Sequence, residues 1–184
     1  KIFVEMLYRN KIDLKTFDFL NQPAEADRYF YILPKIHKPL NEWSSNIMPK
    51  GRPIISNTNS NTYFVAKYID SFLNPLALKL PSVLKNTYAF VDKVKGYSTS
   101  KEALIVTGDI SSLYTNMLHD RILETVREEL RLNPNAKRGD EHLLECLDII
   151  LQHSDFSFGD RIYLQTVGMA MGNPLCPSCA NIYL

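Results

Sequence analysis

Apolar and polar positions divide the chain into short segments whose period keeps changing. From Ala26 to Leu33 aromatic and other β-favouring residues dominate until Pro34 stops them, which predicts a strand. Pro34, Pro39, Pro49, Gly51 and Pro53 make the following stretch loop-like, and Arg52 to Ser56 reads as a second short strand. Together they predict a hairpin with a long, basic tip. Asn57 to Asn61 is polar and turn-forming. Val65, Ile69 and Phe72 then fall on one helical face, with Pro75 expected to kink or end the helix. Thr87 is expected to cap a short helix holding Phe90 and Val94.

The second half opens on Ala103-Leu104-Ile105-Val106-Thr107-Gly108-Asp109. Its unbroken apolar run predicts a strand buried on both faces. Ile122, Val126 and Leu130 recur every four residues in a helix expected over Asp120–Leu132, which Asn133-Pro134-Asn135 breaks. Leu143, Leu144, Leu147, Ile150 and Leu151 mark another amphipathic helix. Phe156 to Phe158, a Gly159-Asp160 turn and Arg161 to Gln165 predict a hairpin. Gly168 to Pro177 is a glycine- and proline-rich loop, and a last helix is expected over Ser178–Leu184. Strands mixed with separate helices predict an α+β fold rather than a regular βαβ alternation.

Composition leaves that picture standing. The 184 residues are 45% hydrophobic and 22% charged, which excludes a disordered chain. No stretch approaches the roughly 18 apolar residues of a membrane span, and Lys1-Ile2-Phe3-Val4-Glu5 is too short and too charged an apolar run to read as a signal peptide. The chain begins with Lys1 and ends on Leu184 within an apolar run, so a piece of a longer protein is expected. Three cysteines, Cys146, Cys176 and Cys179, point to a reducing compartment. Cys176-Pro177-Ser178-Cys179 has C-x-x-C spacing, but no second ligand pair follows; two small residues facing a core account for it better than zinc or redox chemistry.

Charge changes the picture locally. Net charge is +1, yet residues 28–67 carry Arg28, Lys35, Lys38, Lys50, Arg52 and Lys67 against Glu42 alone. Tyr29, Phe30, Tyr31, Trp43, Tyr63 and Phe64 lie among them. Cations interleaved with rings suit a polyanion with flat bases, and equally a solvated surface with its own core aromatics.

Four constellations bear chemistry. Asp109 ends an apolar run, where a carboxylate needs a cation or a donor; a divalent metal would serve, and so would capping of the Ser111-Ser112 turn. Tyr114 follows five residues on, close enough to share a ligand with Asp109 or to be a core ring. Lys35 and Arg52 fall at one end of the predicted hairpin, where a point charge and a bidentate fork suit phosphate oxygens, or stand as separate surface charges. Gly168-Met169-Ala170-Met171-Gly172-Asn173-Pro174 lets backbone approach a ligand closely, or simply turns the chain, and Pro177 pins the helix that follows.

Taken in order, these residues resemble reverse transcriptases, and more narrowly the Penelope-like retroelement family. The resemblance rests on Tyr31-Ile32-Leu33-Pro34-Lys35-Ile36-His37-Lys38-Pro39, Arg52-Pro53-Ile54-Ile55-Ser56 and Asp109-Ile110-Ser111-Ser112-Leu113-Tyr114-Thr115-Asn116. It continues with Gly168 to Pro177 and Ala180-Asn181-Ile182-Tyr183-Leu184. It implies right-hand polymerase fingers over about residues 1–100 and a partial palm over about 101–184, an antiparallel sheet packed with helices.

Further roles follow from the resemblance. Lys35 and Arg52 would grip a deoxynucleoside triphosphate. Asp109 would bind two Mg2+ ions, with Mn2+ as a substitute and the Ile110 carbonyl helping to hold one. Tyr114 would gate the sugar, and Met171 and Gly172 would line the nascent base pair. Lys38, Lys50, Gly168, Asn173 and Pro174 would contact an RNA or DNA template with its primer. Met171 stands where many reverse transcriptases carry Gln and Penelope-like ones commonly have Met; Cys176 stands where Ser is usual. The family's paired Asp-Asp hairpin does not occur in the sequence, so this chain alone is expected inactive, with a downstream palm and thumb in the parent; the sequence leaves open whether an endonuclease domain follows. No membrane partner is implied. An intracellular, nuclear location is implied by family alone, since Lys35-Ile36-His37-Lys38 is too sparse for an import signal. The competing reading is a domesticated or decayed domain that binds nucleic acid without polymerising. A protein-interaction domain gives no reason for this order of residues.

A palm lacking its catalytic hairpin would expose a strand edge and apolar surface, so the isolated chain is expected to aggregate or to need the remainder to fold. A sharp two-state melt of a soluble monomer would contradict this.

Overall fold

The computed structural model describes residues 2–43 and 47–184. The fold is α+β: eight helices and two small antiparallel two-stranded sheets among the described residues. In chain order they are α1 (Ile2–Tyr8), α2 (Leu14–Leu20), β1 (Phe30–Pro34), β2 (Gly51–Ile55), α3 (Tyr63–Ala77), α4 (Thr87–Val94), α5 (Leu113–Asn116), α6 (His119–Leu132), α7 (Asp140–Gln152), β3 (Asp155–Phe158), β4 (Arg161–Leu164) and α8 (Cys176–Tyr183). No described helix is long and apolar enough to cross a membrane.

The core is helical. α6 packs on α7 and α8, and α3 packs on α7 and α8. Ile122, Val126 and Leu130 are buried together with Ile69, Leu73 and Leu147, the stripe that four-residue spacing requires. Each such side chain contributes about 1.5–3 kcal/mol by leaving water. α1 and α2, which the periodicity reading passed over, close one end by burying Met6 and Leu20. Asp13 caps α2 by accepting the Thr16 N–H at 2.8 Å. Asn86, not the expected Thr87, caps α4 through the Ala89 N–H at 2.9 Å. Pro75 lies inside the last turn of α3, which ends two residues later at Ala77. α8 begins at Cys176, earlier than Ser178, and Ser178 Oγ donates to Asp70 of α3 at 2.5 Å.

Buried cations finish the joints. Arg138 donates to the Leu130 and Asn133 carbonyls at 3.0 and 2.8 Å and pairs with Asp140 at 2.5 Å. It thereby serves carbonyls that the end of α6 leaves without intrahelical donors. Arg28 donates to Asp155 at 2.6 Å and to the His153 carbonyl. Its burial lowers its pKa against the opposing pull of Asp155. Beside it the Ser157 N–H donates to the Arg28 carbonyl at 2.8 Å, and Tyr29 bridges Ser157. Phe30 meets Phe158 edge-on with centroids 5.2 Å apart. These contacts tie the first hairpin to the second.

Both hairpins form, the first with shifted bounds: its first strand starts at Phe30 rather than Ala26 and includes Pro34, and its second runs from Gly51 to Ile55. β1 pairs with β2 in a register that sets Leu33 opposite Arg52 and Pro34 opposite Gly51. β3 pairs with β4, with Gly159 at φ +59° in the turn. The strand predicted over 103–109 does not form. Leu104, Ile105 and Val106 are 89%, 94% and 88% exposed, and no regular element spans them. A strand needs a neighbour for its backbone groups. The described strands pair within their own hairpins, and the segment's only backbone bond is from the Ala103 N–H to the Ser100 carbonyl at 3.1 Å. An apolar run predicts burial only where a partner covers it.

Arg28→Ala is expected to lower stability by about 2 kcal/mol, less than a fully buried pair would cost because Asp155 is half exposed. Urea unfolding would measure it, and a change below about 0.5 kcal/mol would remove Arg28 as the joint between the hairpins.

Candidate functional site

The Gly168–Asn173 loop is held at three places. At its start, the Gly168 N–H donates to the Met117 carbonyl at 2.8 Å and the Met169 N–H to the Tyr114 carbonyl at 2.7 Å. His119 Nε2 lies 2.8 Å from the Gly168 carbonyl oxygen, which can only accept, so Nε2 carries a proton. In the middle, the Met171 carbonyl accepts the Ile55 N–H of β2 at 3.1 Å. At the end, Asn173 Oδ1 accepts the Leu175 N–H at 3.0 Å and its carbonyl accepts the Cys176 N–H at 3.1 Å, leading into α8.

Two glycines allow this. Gly168 has φ +77°, and a Cβ there would stand 2.5 Å from the Tyr114 carbonyl oxygen. Gly172 has φ +128°, and a Cβ there would stand 2.4 Å from the Ile55 carbonyl oxygen. Each position lacks both the conformational freedom and the space for any side chain. The loop therefore presses backbone on backbone against β2 at one point and α5 at another.

β2 carries the hairpin's cations. Alternation along paired strands puts Lys35, Arg52 and Lys50 on one face with Tyr31, Leu33 and Ile54. The Lys35 N–H donates to the Lys50 carbonyl at 2.8 Å, so the two lysines are cross-strand neighbours. Arg52 and Lys50 are exposed and Lys35 is half-buried. None of the three has an ion-pair partner among the described residues, which leaves their charge free for an anion. Lys38 is engaged otherwise: it pairs with Glu42 at 3.3 Å, and its carbonyl accepts the Trp43 indole N–H at 2.8 Å.

α5 carries Tyr114. Ser112 precedes it in the left-handed region at φ +56°, a conformation that costs a non-glycine residue about 1 kcal/mol. The Ser112 carbonyl accepts the Thr115 N–H, the Thr115 hydroxyl and the Asn116 amide at 3.2, 3.0 and 3.0 Å, which offsets that cost. Tyr114 is half-buried against the core.

Asp109 stands apart from this arrangement. It is exposed and makes no hydrogen bond or ion pair among the described residues, so it neither caps the Ser111-Ser112 turn nor meets a cation. Ile110 is exposed as well. No group of three or more His, Cys, Asp or Glu side chains able to hold a metal occurs among the described residues. Asp155 is tied to Arg28, and Asp160 occupies the β3–β4 turn. One carboxylate and one carbonyl do not fit a pair of divalent ions.

The predicted residues thus divide. Met171, Gly172 and Gly168 join the hairpin that carries Lys35, Lys50 and Arg52 to the helix that carries Tyr114. Asn173 is 6% exposed and spends its carbonyl oxygens on the loop's own backbone, and Pro174 beside it is half-buried. His119 was not anticipated; only its place just past Tyr114-Thr115-Asn116 hinted at it. Cys146 and Cys176 are buried and their thiols are pushed up to about 12; Cys179 is driven higher still by burial, which makes all three packing residues rather than nucleophiles. An apolar cavity of about 380 Å³ between α1, α3 and α7 contains none of the predicted site residues.

Neither a protein-family model, a curated protein nor a solved structure matches the chain.

Gly168→Ala and Gly172→Ala are each expected to cost about 3 kcal/mol, from the left-handed backbone and the backbone clash together. Gly159→Ala, with φ +59° but open space around it, should cost only about 1 kcal/mol. Thermal or urea melts compare the three, and equal losses would mean the loop is free to move away from β2 and α5.

Proposed function

We propose that the chain is a fingers-and-palm portion of an RNA-directed DNA polymerase of Penelope-like type. The observation that carries the reading is the Gly168–Asn173 loop, which bonds to Ile55 beyond Arg52 and to Tyr114 in one continuous turn. The motifs that a polymerase would use at a triphosphate, a sugar and a nascent base pair are thereby coupled through backbone.

In this reading Lys35 and Arg52 neutralise the triphosphate, Arg52 by a bidentate fork and Lys35 as a point charge. Lys50, opposite Lys35, adds a third positive charge on the same face. The Tyr114 ring packs against the sugar and disfavours a 2′-hydroxyl. Met171 and Gly172 line the nascent base pair on the side of the loop that β2 does not cover, Gly172 being exposed there. Asp109 is the carboxylate this reading assigns to the metals, and polymerisation requires further carboxylates beside it, which no cluster among the described residues supplies. The template is RNA or DNA with a primer, and the compartment is intracellular and nuclear, as for retroelement enzymes of this kind.

One observation favours a second reading. Asp109 belongs to no group of three or more His, Cys, Asp or Glu side chains able to hold a metal among the described residues, whereas the cations of the hairpin need none to hold a polyanion. A decayed domain that binds nucleic acid without extending it uses the same hairpin and leaves Asp109 idle.

In a parent chain that extends primers, Asp109→Ala is expected to abolish extension and to leave template affinity within about twofold. Lys35→Ala and Arg52→Ala should each weaken triphosphate use by about ten- to a hundredfold, the loss of a charge-assisted contact. Tyr114→Ala should admit ribonucleotides. Primer extension with deoxy- and ribonucleotides reads all three, and unchanged extension by Asp109→Ala would sink the polymerase assignment in favour of binding alone.

A further inference from the structure

An open groove of about 670 Å³ runs between the α1–α2 turn, α3 and the α6–α7 turn. Its volume falls within the roughly 300–1,000 Å³ of ligand sites. None of its lining residues belongs to the Gly168–Asn173 site or to the basic hairpin. Arg9 and Lys11 come from the first turn and Lys137 from the last, with Asp13 the one carboxylate in the lining.

The opposing charges are largely engaged. Asp13 accepts the Thr16 N–H as the cap of α2, and those hydrogen bonds hold its pKa below the usual range. Arg9 shares Glu5 at 2.7 Å, an exposed pair of the kind that competes weakly with a phosphate. Lys11 Nζ donates only to the neutral Ala136 carbonyl, at 3.4 Å. Lys137 has no ion-pair partner among the described residues.

Aromatic surface lies in the same groove. Tyr68 and Phe72, one turn apart on α3, meet edge-to-face with centroids 5.1 Å apart. The Tyr68 hydroxyl makes no hydrogen bond among the described residues. Cations from two turns with rings from a third element match what a flexible strand offers, phosphates along its length and bases that stack on any π-face. The groove is open rather than enclosed, with Lys11 Nζ on the Ala136 carbonyl next to Lys137, Arg9 on the same turn as Lys11, and the rings on α3. That suits a strand that passes through more than a nucleotide that must be enclosed.

We propose that this groove binds a single strand of nucleic acid, with phosphates on Arg9, Lys11 and Lys137 and a base against the Tyr68–Phe72 pair. It is a second nucleic-acid contact, outside the stretch of the sequence where basic residues concentrate. It serves a polymerase and a binding-only domain alike, and so goes beyond the choice between them.

The test is fluorescence anisotropy of a labelled oligo-dT, titrated with the chain at several salt concentrations. The Arg9→Gln/Lys11→Gln/Lys137→Gln variant is expected to bind about tenfold or more weakly at low salt. Its plot of log affinity against log salt should flatten by about 2, near 0.7 for each cation lost on a single strand. Tyr68→Leu keeps the charges; it should weaken binding about fivefold or more and leave the slope alone. Wild-type affinity and slope in the triple variant would overturn the proposal. So would competition by polyglutamate as effective as by oligo-dT with Tyr68→Leu silent, which would make the groove an acidic-peptide site. Deoxynucleoside triphosphate binding with Lys35→Gln/Arg52→Gln as its control reports on the hairpin separately. Its failure in the wild type would count against the polymerase reading and leave the groove intact.

Discussion

Close backbone contact at two glycines organises the candidate site. Gly168 lies on the Tyr114 and Thr115 backbone, and Gly172 lies on the Ile55 carbonyl, each at a distance no Cβ tolerates. Everything else at the site hangs on these two points. β2 brings Arg52 and, through its register with β1, Lys35 and Lys50. α5 brings Tyr114, aimed by a left-handed Ser112 whose carbonyl takes three hydrogen bonds. Asn173 then hands the chain to α8, which buries Cys179 and Ala180 in the helical core and so anchors the loop. The arrangement is a rigid connector between a positively charged hairpin and an aromatic side chain.

The connector and the acidic side of the chemistry differ in kind. Lys35, Lys50 and Arg52 have no ion-pair partner among the described residues and share one face of the first hairpin. Asp109 is on an exposed segment with no partner for its backbone or its carboxylate. Phosphate recognition needs only charge and geometry already present, whereas metal-assisted transfer needs several carboxylates converging. On the proposed reading, the chain supplies the charged surface more completely than the carboxylates of a reaction centre. The Leu104-Ile105-Val106 run beside Asp109 is likewise exposed and outside any regular element, so nothing in its backbone fixes the carboxylate.

Much of this was legible in sequence, and the failures have physical causes. Four-residue spacing of Ile122, Val126 and Leu130 marked α6 because a helix must bury one stripe. Pro34 and the Gly159-Asp160 pair marked hairpin boundaries because they restrict or permit particular backbone conformations. α1 and α2 were missed although Ile2, Phe3, Met6 and Leu7 have helical spacing; the segments are short and hold only because tertiary packing covers them. The 103–109 strand was misread because apolarity specifies a need for burial and not the partner that meets it. The roles of Arg28 and Arg138 were invisible, since beside Asp155 and Asp140 each serves backbone carbonyls, of His153 and Leu130, that any residue supplies. The glycine loop was flagged for close approach, but whether to ligand or to protein backbone depends on the fold, and the protein backbone takes that space.

Native-state hydrogen exchange of individual amides tests the connector most directly. The Ile55, Gly168 and Met169 amides donate into the loop contacts, and they should open as one unit with protection comparable to the core of α6. Exchange of Ile55 and Met169 at the rate of the unpaired amides around Ile105 would contradict the account, because the hairpin and Tyr114 would then be joined by nothing rigid.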